Sequence, residues 1–219
     1  MIDPSTTIYH KNIYGIFGII GSGKTHVSKL IETHRNFHRI SSDDIFKEWI
    51  KDSTYLKNLS DFLLELDVDP LTNGVYDSAR MFETMFSDKE MDDNWPLIKA
   101  INKFNFTYLY SGIVKILKDI PLDDNIIIEM ATLPSSAIST ICKQLFLISR
   151  PIYPVDILKR DPNRNLQVVS NLIAYQLERT ECVSEIICNI DQKDLDTCAP
   201  YIGYASDEKI LEDFDNLLI

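Results

Sequence analysis

Apolar positions along the chain follow two periods. Short runs at Ile13 to Phe17, His38 to Ser41, Asn125 to Glu129, Gln144 to Ile148 and Glu185 to Cys188 are rich in Ile, Phe, Leu or Val and read as buried strands. Between them, apolar residues recur three and four apart, as in Val27, Leu30 and Ile31, which share one helical face. Buried strands alternating with amphipathic helices predict a parallel sheet covered on both faces, an α/β three-layer fold around a central sheet of about five strands.

One interval breaks the alternation. Residues 45–118, between the second and third strands, are mostly helical in pattern and are punctuated near Asp69-Pro70-Leu71-Thr72-Asn73-Gly74 by turn chemistry. That is too long for a simple crossover, so we expect a helical insertion within a single domain spanning residues 1–219. Such an insertion suits acceptor binding, because open α/β sheets bind ligands over the carboxyl ends of their strands. The segment from Ser206-Asp207-Glu208 through Ile210, Leu211, Phe214, Leu217 and Leu218 reads as a capped amphipathic helix packed on the core.

Directly after the first strand, Gly18-Ile19-Ile20-Gly21-Ser22-Gly23-Lys24-Thr25 fits G-x-x-x-x-G-K-[ST]. Four of the seven glycines, Gly15, Gly18, Gly21 and Gly23, fall in this segment, where backbone N–H groups must approach phosphate oxygens without Cβ atoms in the way. The motif assigns the phosphates of ATP to Gly18, Gly21, Ser22, Gly23 and Lys24, and Mg2+ to the Thr25 hydroxyl at the start of the following helix.

Composition narrows the partners. With 45% hydrophobic and 25% charged residues the chain has the make-up of an ordinary globular protein. A net charge of −11 repels polyanions, so no nucleic-acid surface is expected and anionic substrates must be held by local donors. No apolar run reaches membrane-spanning length and Met1-Ile2-Asp3-Pro4-Ser5 does not open a signal peptide, so a cytoplasmic protein without a membrane partner is expected. Cys142, Cys182, Cys188 and Cys198 form no C-x-x-C pair and read as reduced structural thiols.

Three further groups carry candidate chemistry. Asp43, in Ile40-Ser41-Ser42-Asp43-Asp44 at the carboxyl end of the second strand, is placed to take a proton from an acceptor hydroxyl or orient Mg2+, unless Ser42 or Asp43 caps a helix beginning near Ile45. Glu129 ends the third strand and can act on the water shell of a metal. Arg160 and Arg164, in Arg160-Asp161-Pro162-Asn163-Arg164, carry planar guanidinium groups suited to a phosphoryl group in transfer, and Arg160 also to the nucleotide.

In this order the motifs resemble those of the dephospho-CoA kinase family. Gly21-Ser22-Gly23-Lys24-Thr25 is similar to its G-S-G-K-[ST] loop, and Ile40-Ser41-Ser42-Asp43 to its I-D-A-D segment. Gly74-Val75-Tyr76-Asp77 with Met81 and Phe86 follows its G-x-L-D-R-x-x-L-x-x-x-x-F element. Leu158-Lys159-Arg160 with Arg164 resembles its L-x-R-x-x-x-R lid, here about residues 159–170; Gln176 matches a glutamine on the next helix, and Ile186-Ile187-Cys188-Asn189 its closing V-I-x-N. The resemblance implies a P-loop kinase fold and transfer of phosphate from ATP to the ribose 3′-hydroxyl of dephospho-CoA, with Asp43 as the base. Ser41 replaces the first aspartate of the family's pair, Ser78 its acceptor-site arginine, Asn102-Lys103 its His-Pro, and Glu129-Met130-Ala131-Thr132 lacks its Pro-Leu-Leu.

Two other readings stay open. A nucleoside or deoxynucleoside monophosphate kinase shares the architecture but needs added cations for a phosphate acceptor, for which Arg80 and Lys103 are the candidates. A P-loop nucleotide-binding protein that has lost transfer activity and acts through a partner would tolerate the altered acceptor motifs.

Overall fold

The computed structural model describes residues 12–86, 91–149, 154–162, 164–179, 201–203 and 206–218. Along the chain these form β1 (Ile13–Phe17), α1 (Lys24–Arg35), β2 (Phe37–Ser41), α2 (Ser42–Trp49), α3 (Ser53–Leu64), β3 (Leu71–Thr72), β4 (Val75–Tyr76), α4 (Ser78–Phe86), α5 (Met91–Lys118) and β5 (Asn125–Glu129). Two 3-10 turns then lead to β6 (Gln144–Ser149), α6 (Pro154–Arg160), α7 (Leu166–Arg179), β7 (Tyr201–Gly203) and α8 (Asp207–Leu217). The chain divides into two compact units, one of Met1–Ser42, Tyr110–Ile152 and Tyr175–Ile219, the other of Asp43–Leu109 and Tyr153–Ala174. The expected lid and most of the expected insertion share the second unit, while the end of α5, from Tyr110, belongs to the first.

The first unit is built on a five-stranded sheet in the order β2-β5-β1-β6-β7. All its pairings are parallel, with Ile16 opposite both Glu129 and Phe146, and Ser41 opposite Glu129. The four inner and early strands lie within a residue of the runs read from the sequence. The fifth differs. The run Glu185 to Cys188 lies outside the described residues, and the described edge strand is Tyr201–Gly203, where Tyr201 pairs with Leu147. Three residues are too few to display a period of two.

Alternation along the strands sends Tyr14, Ile16, Phe37, Ile127, Phe146 and Ile148 to one face, where they meet Val27, Leu30 and Ile31 of α1 and Ile210, Leu211 and Phe214 of α8. Phe214 has no exposed surface, and its ring lies 5.4 Å from Phe37 and 5.2 Å from Phe146. Burying such a ring stabilises by about 1.5–3 kcal/mol before packing geometry is counted. The carboxyl-terminal helix therefore closes the sheet, as its amphipathic pattern predicts. Ser206 caps it by accepting from the Lys209 N–H, and Asp207 and Glu208 sit in its first turn. Burial pushes the Cys142 thiol up to about 12, as befits an unreactive structural cysteine.

The second unit has its own core of Tyr55, Leu59, Leu63, Val68, Met81 and Ile101, edged by aromatic rings including Phe46, Trp49, Phe62, Phe104 and Tyr108. The turn chemistry near residue 70 becomes a hairpin: β3 and β4 pair antiparallel, and Asn73 and Gly74 between them take φ of 54° and 79°. Two consecutive positive φ values are what a two-residue hairpin turn of this hand requires, and Asn-Gly supplies them. Asp77 then ties the hairpin to α4, accepting from the Thr72 hydroxyl and the Arg80 N–H. These hydrogen bonds hold its carboxyl below the ordinary range.

The close approach at the end of β1 generates a test. Gly18 has φ of 148°, and a Cβ added there would run into the Ile148 carbonyl oxygen and lie 2.8 Å from the Ser22 hydroxyl. Gly18→Ala is expected to cost about 2 kcal/mol or more, because a backbone carbonyl of the central sheet cannot step aside as a side chain can. At Gly15 an added Cβ meets the ends of the Leu133 and Leu145 side chains, so Gly15→Ala should cost less. Urea unfolding of the two variants checks the order.

Candidate active site

The loop between β1 and α1 is shaped by glycine. Gly21 and Gly23 take φ of 80° and 98°, and a Cβ at Gly23 would meet nothing within 4 Å. Positive φ at these points turns the chain back on itself, the kind of turn in which backbone N–H groups can cradle phosphate, and Ser22 N–H donates to the Ile19 carbonyl at 3.1 Å. Gly23 is also the cap residue of α1, so no cap side chain occupies the first-turn N–H groups at the positive end of the helix dipole. Lys24 folds back across this loop and donates to the Ile19 carbonyl oxygen at 2.9 Å. Ile20 N–H, on the far side of the turn, donates at 2.6 Å to Oε1 of Gln176, whose side chain is buried.

Below the loop lies a buried carboxylate. Glu129 is 3% exposed, and its Oε1 accepts from the Thr25 hydroxyl. Its Oε2 accepts from the Ser28 hydroxyl at 2.7 Å and from Nη2 and Nε of Arg39 at 2.6 and 3.1 Å. Nε of Arg39 also donates to Ser28 Oγ at 2.8 Å. The register explains the meeting: Arg39 and Ser41 pair with Ile127 and Glu129, so they share the face on which α1 lies. Ser28 comes to it from the buried side of α1.

This donor set fits a small divalent cation. Hydroxyl and carboxylate oxygens are the hard ligands Mg2+ takes, and Mg2+ needs only one or two of them beside phosphate and water. Thr25 gives its proton to Glu129, which leaves the hydroxyl lone pairs available to a cation.

The remaining sequence candidates have these positions. Asp43 follows the end of β2 by two residues and is exposed in the first turn of α2, which begins at Ser42 and not near Ile45. The capping reading of Asp43 therefore yields to a first-turn position, where its charge favours the helix dipole. Arg164 donates to Asp161 Oδ2 at 2.7 Å, and its guanidinium lies 5.6 Å from the centre of the Phe82 ring. Arg160 ends α6, and its side chain lies outside the described atoms. Arg80 donates to the Leu71 carbonyl at 2.9 Å.

Two participants escaped the sequence reading, Arg39 and Ser28. A signal for both existed. Arg39 stands in phase with Phe37 on an otherwise buried strand face, and Ser28 interrupts the apolar face of α1 beside Val27 and Ile31. A charge in such a phase implies a buried counter-charge.

No protein-family model matches the sequence, and no curated protein matches it. Solved structures do. TT1252 from Thermus thermophilus superposes with a TM-score of 0.64 at 16% identity, covering 94% of this chain and 95% of that one. A dephospho-CoA kinase from Campylobacter jejuni gives 0.49 at 14% identity, with 94% and 96% covered. The first of these likenesses shows a shared fold over nearly the whole chain. The parallel sheet flanked by helices is thus the α/β architecture expected from the sequence.

The Gln176 contact can be tested directly. Gln176→Leu keeps the bulk but removes the acceptor from Ile20 N–H, and should cost about 1 kcal/mol of stability. Amide exchange at residues 19–23 should quicken more than exchange in β5. Equal protection in both segments would show that Gln176 does not hold the loop.

Proposed function

We propose that the chain is an ATP- and Mg2+-dependent small-molecule kinase of the dephospho-CoA kinase type, transferring phosphate to the ribose 3′-hydroxyl of dephospho-CoA to give CoA and ADP. The observation that supports this best is the pairing of the glycine loop with a strand-end acid: Thr25, last residue of the motif, hydrogen bonds to Glu129. A structural turn has no need of that pairing. Loop N–H groups and Lys24 bind the triphosphate, Lys24 exchanging the Ile19 carbonyl for phosphate oxygen. Thr25 and Glu129 would hold Mg2+, which when bound offsets the charge of the phosphates and orients them. Asp43 takes the proton of the acceptor hydroxyl as its oxygen bonds to phosphorus and the bond from phosphorus to the leaving ADP oxygen breaks. Arg160 and Arg164 stabilise the charge on the group in transfer.

The monophosphate-kinase reading is weakened by Arg80, which is engaged with the Leu71 carbonyl and lies 3.9 Å from Asp69. A nucleotide-binding protein without transfer activity is the second reading, favoured by Ser41 and Ser78 at the positions named above. Among the described residues no helix is long and apolar enough to cross a membrane. We place the activity in the cytoplasm, on a small-molecule substrate.

A coupled ADP-release screen of dephospho-CoA, nucleoside monophosphates and pantothenate-like alcohols separates the readings: turnover is expected with dephospho-CoA, and binding of ATP without turnover on any acceptor would favour the second. In the active protein Lys24→Ala should abolish transfer and leave the melting temperature nearly unchanged, since Lys24 fills no core. Near-normal turnover in that variant would dismiss the loop assignment.

Asp43→Asn preserves shape and removes the proton acceptor. Turnover should fall by roughly a hundredfold while ATP affinity holds. A loss under about threefold would leave Asp43 with only its electrostatic place in the first turn of α2.

A further inference from the structure

We propose that Arg39 is a positioning residue for the phosphate site, acting through Glu129. This rests on the functional reading above and adds to it a residue that no motif contains. Arg39 and Glu129 are both buried, their side chains 9% and 3% exposed, and they meet at 2.6 Å. Two consequences follow. One concerns charge: a carboxylate under a triphosphate site repels its ligand, and in a poorly solvated setting that repulsion is weakly screened. The guanidinium beside it makes the pair neutral as a unit. The other concerns orientation. Glu129 Oε2 is taken by Arg39 and Ser28, so only Oε1 is directed to Thr25. Arg39 sets two nitrogens of its planar guanidinium on the single oxygen Oε2, a contact that an ammonium cannot reproduce.

Charge and orientation separate experimentally by measuring affinity for a non-hydrolysable ATP analogue by calorimetry, once with EDTA and once with Mg2+. Arg39→Met should weaken binding in EDTA by about tenfold or more, because Glu129 is left uncompensated, and Mg2+ should recover only part of that loss, because the planar contact is gone as well. Arg39→Met combined with Glu129→Gln removes both charges and should return the EDTA affinity to within about threefold of wild type, with most of the Mg2+ enhancement gone. Arg39→Lys keeps the charge and gives up the planar contact; its EDTA affinity should hold while its Mg2+ enhancement falls. If Arg39→Met does not fold, the lysine and double variants carry the same decision.

A merely structural role would lower the affinities with and without Mg2+ alike, and that result overturns the proposal. So does an Arg39→Lys variant with the full Mg2+ enhancement, or a double variant whose EDTA affinity stays tenfold down. A wild-type protein that binds no analogue under either condition overturns the functional reading as well, whereas wild-type binding with insensitive variants overturns this inference alone.

Discussion

One buried carboxylate organises the first unit. Glu129 ends the strand next to β1, and three side chains from two other elements converge on it: Thr25 and Ser28 from the first two turns of α1, and Arg39 from β2. An ionised carboxylate left alone at 3% exposure would be costly, on a scale of several kcal/mol, and removing one partner of a buried pair commonly costs about 3–5 kcal/mol. A well-packed apolar group could have filled the same space at no such risk. The pair therefore is poorly explained as a stabilising device and is better explained by what it does to the loop above it. It fixes the first turns of α1 against β2 and β5 through directional bonds, where the apolar contacts of Val27, Leu30 and Ile31 fix only the distance.

Fixing that turn matters because the loop's own bonds, from Lys24 and the Ser22 N–H, both fall on the one carbonyl of Ile19. Its glycines impose no preference of their own. Its position is fixed from outside as well, by the Ile148 carbonyl against Gly18, by Gln176 on Ile20, and by Glu129 on Thr25. Two of these three come from the strands on either side of β1, so the loop is tied to the centre of the sheet. Preorganised donors are what phosphate binding and transfer require, since donors that must reorganise give back much of the stabilisation they provide.

How much of this was legible depends on whether a residue acts alone or through a partner distant in sequence. The glycine loop is a local pattern of eight positions, and the strands that flank it are local too, so β1, β2, β5 and β6 were readable to within a residue. So was α8, because Ser206 and the Ile210, Leu211, Phe214 face are contained in one helix. Glu129 was readable as a strand-end acid, but its partners are 101, 104 and 90 positions away, and nothing in the sequence pairs them. The hairpin was seen as a turn without its strands, because two-residue strands have no period. The start of α2 was set three residues late, since Ser42 and Asp43 read as well before a helix as within its first turn.

The acceptor side is legible to a lesser degree for a physical reason. Phosphate recognition depends on backbone N–H groups, and the sequence constrains them through the few residues that permit their geometry. In the proposed function, acceptor recognition falls to side chains carried by an insertion with its own core, and that core can be preserved while the recognising side chains change. Tyr55, Leu59, Met81 and Ile101 pack together whatever residue stands at position 78. Arg80 illustrates the point: on sequence it is a free-standing cation available to a phosphate, whereas its guanidinium is used to join α4 to the Leu71 carbonyl of the hairpin. A cation with a structural partner of its own must break that bond before it can bind a ligand, so its presence in the insertion is weaker support for a phosphate acceptor than its charge suggests.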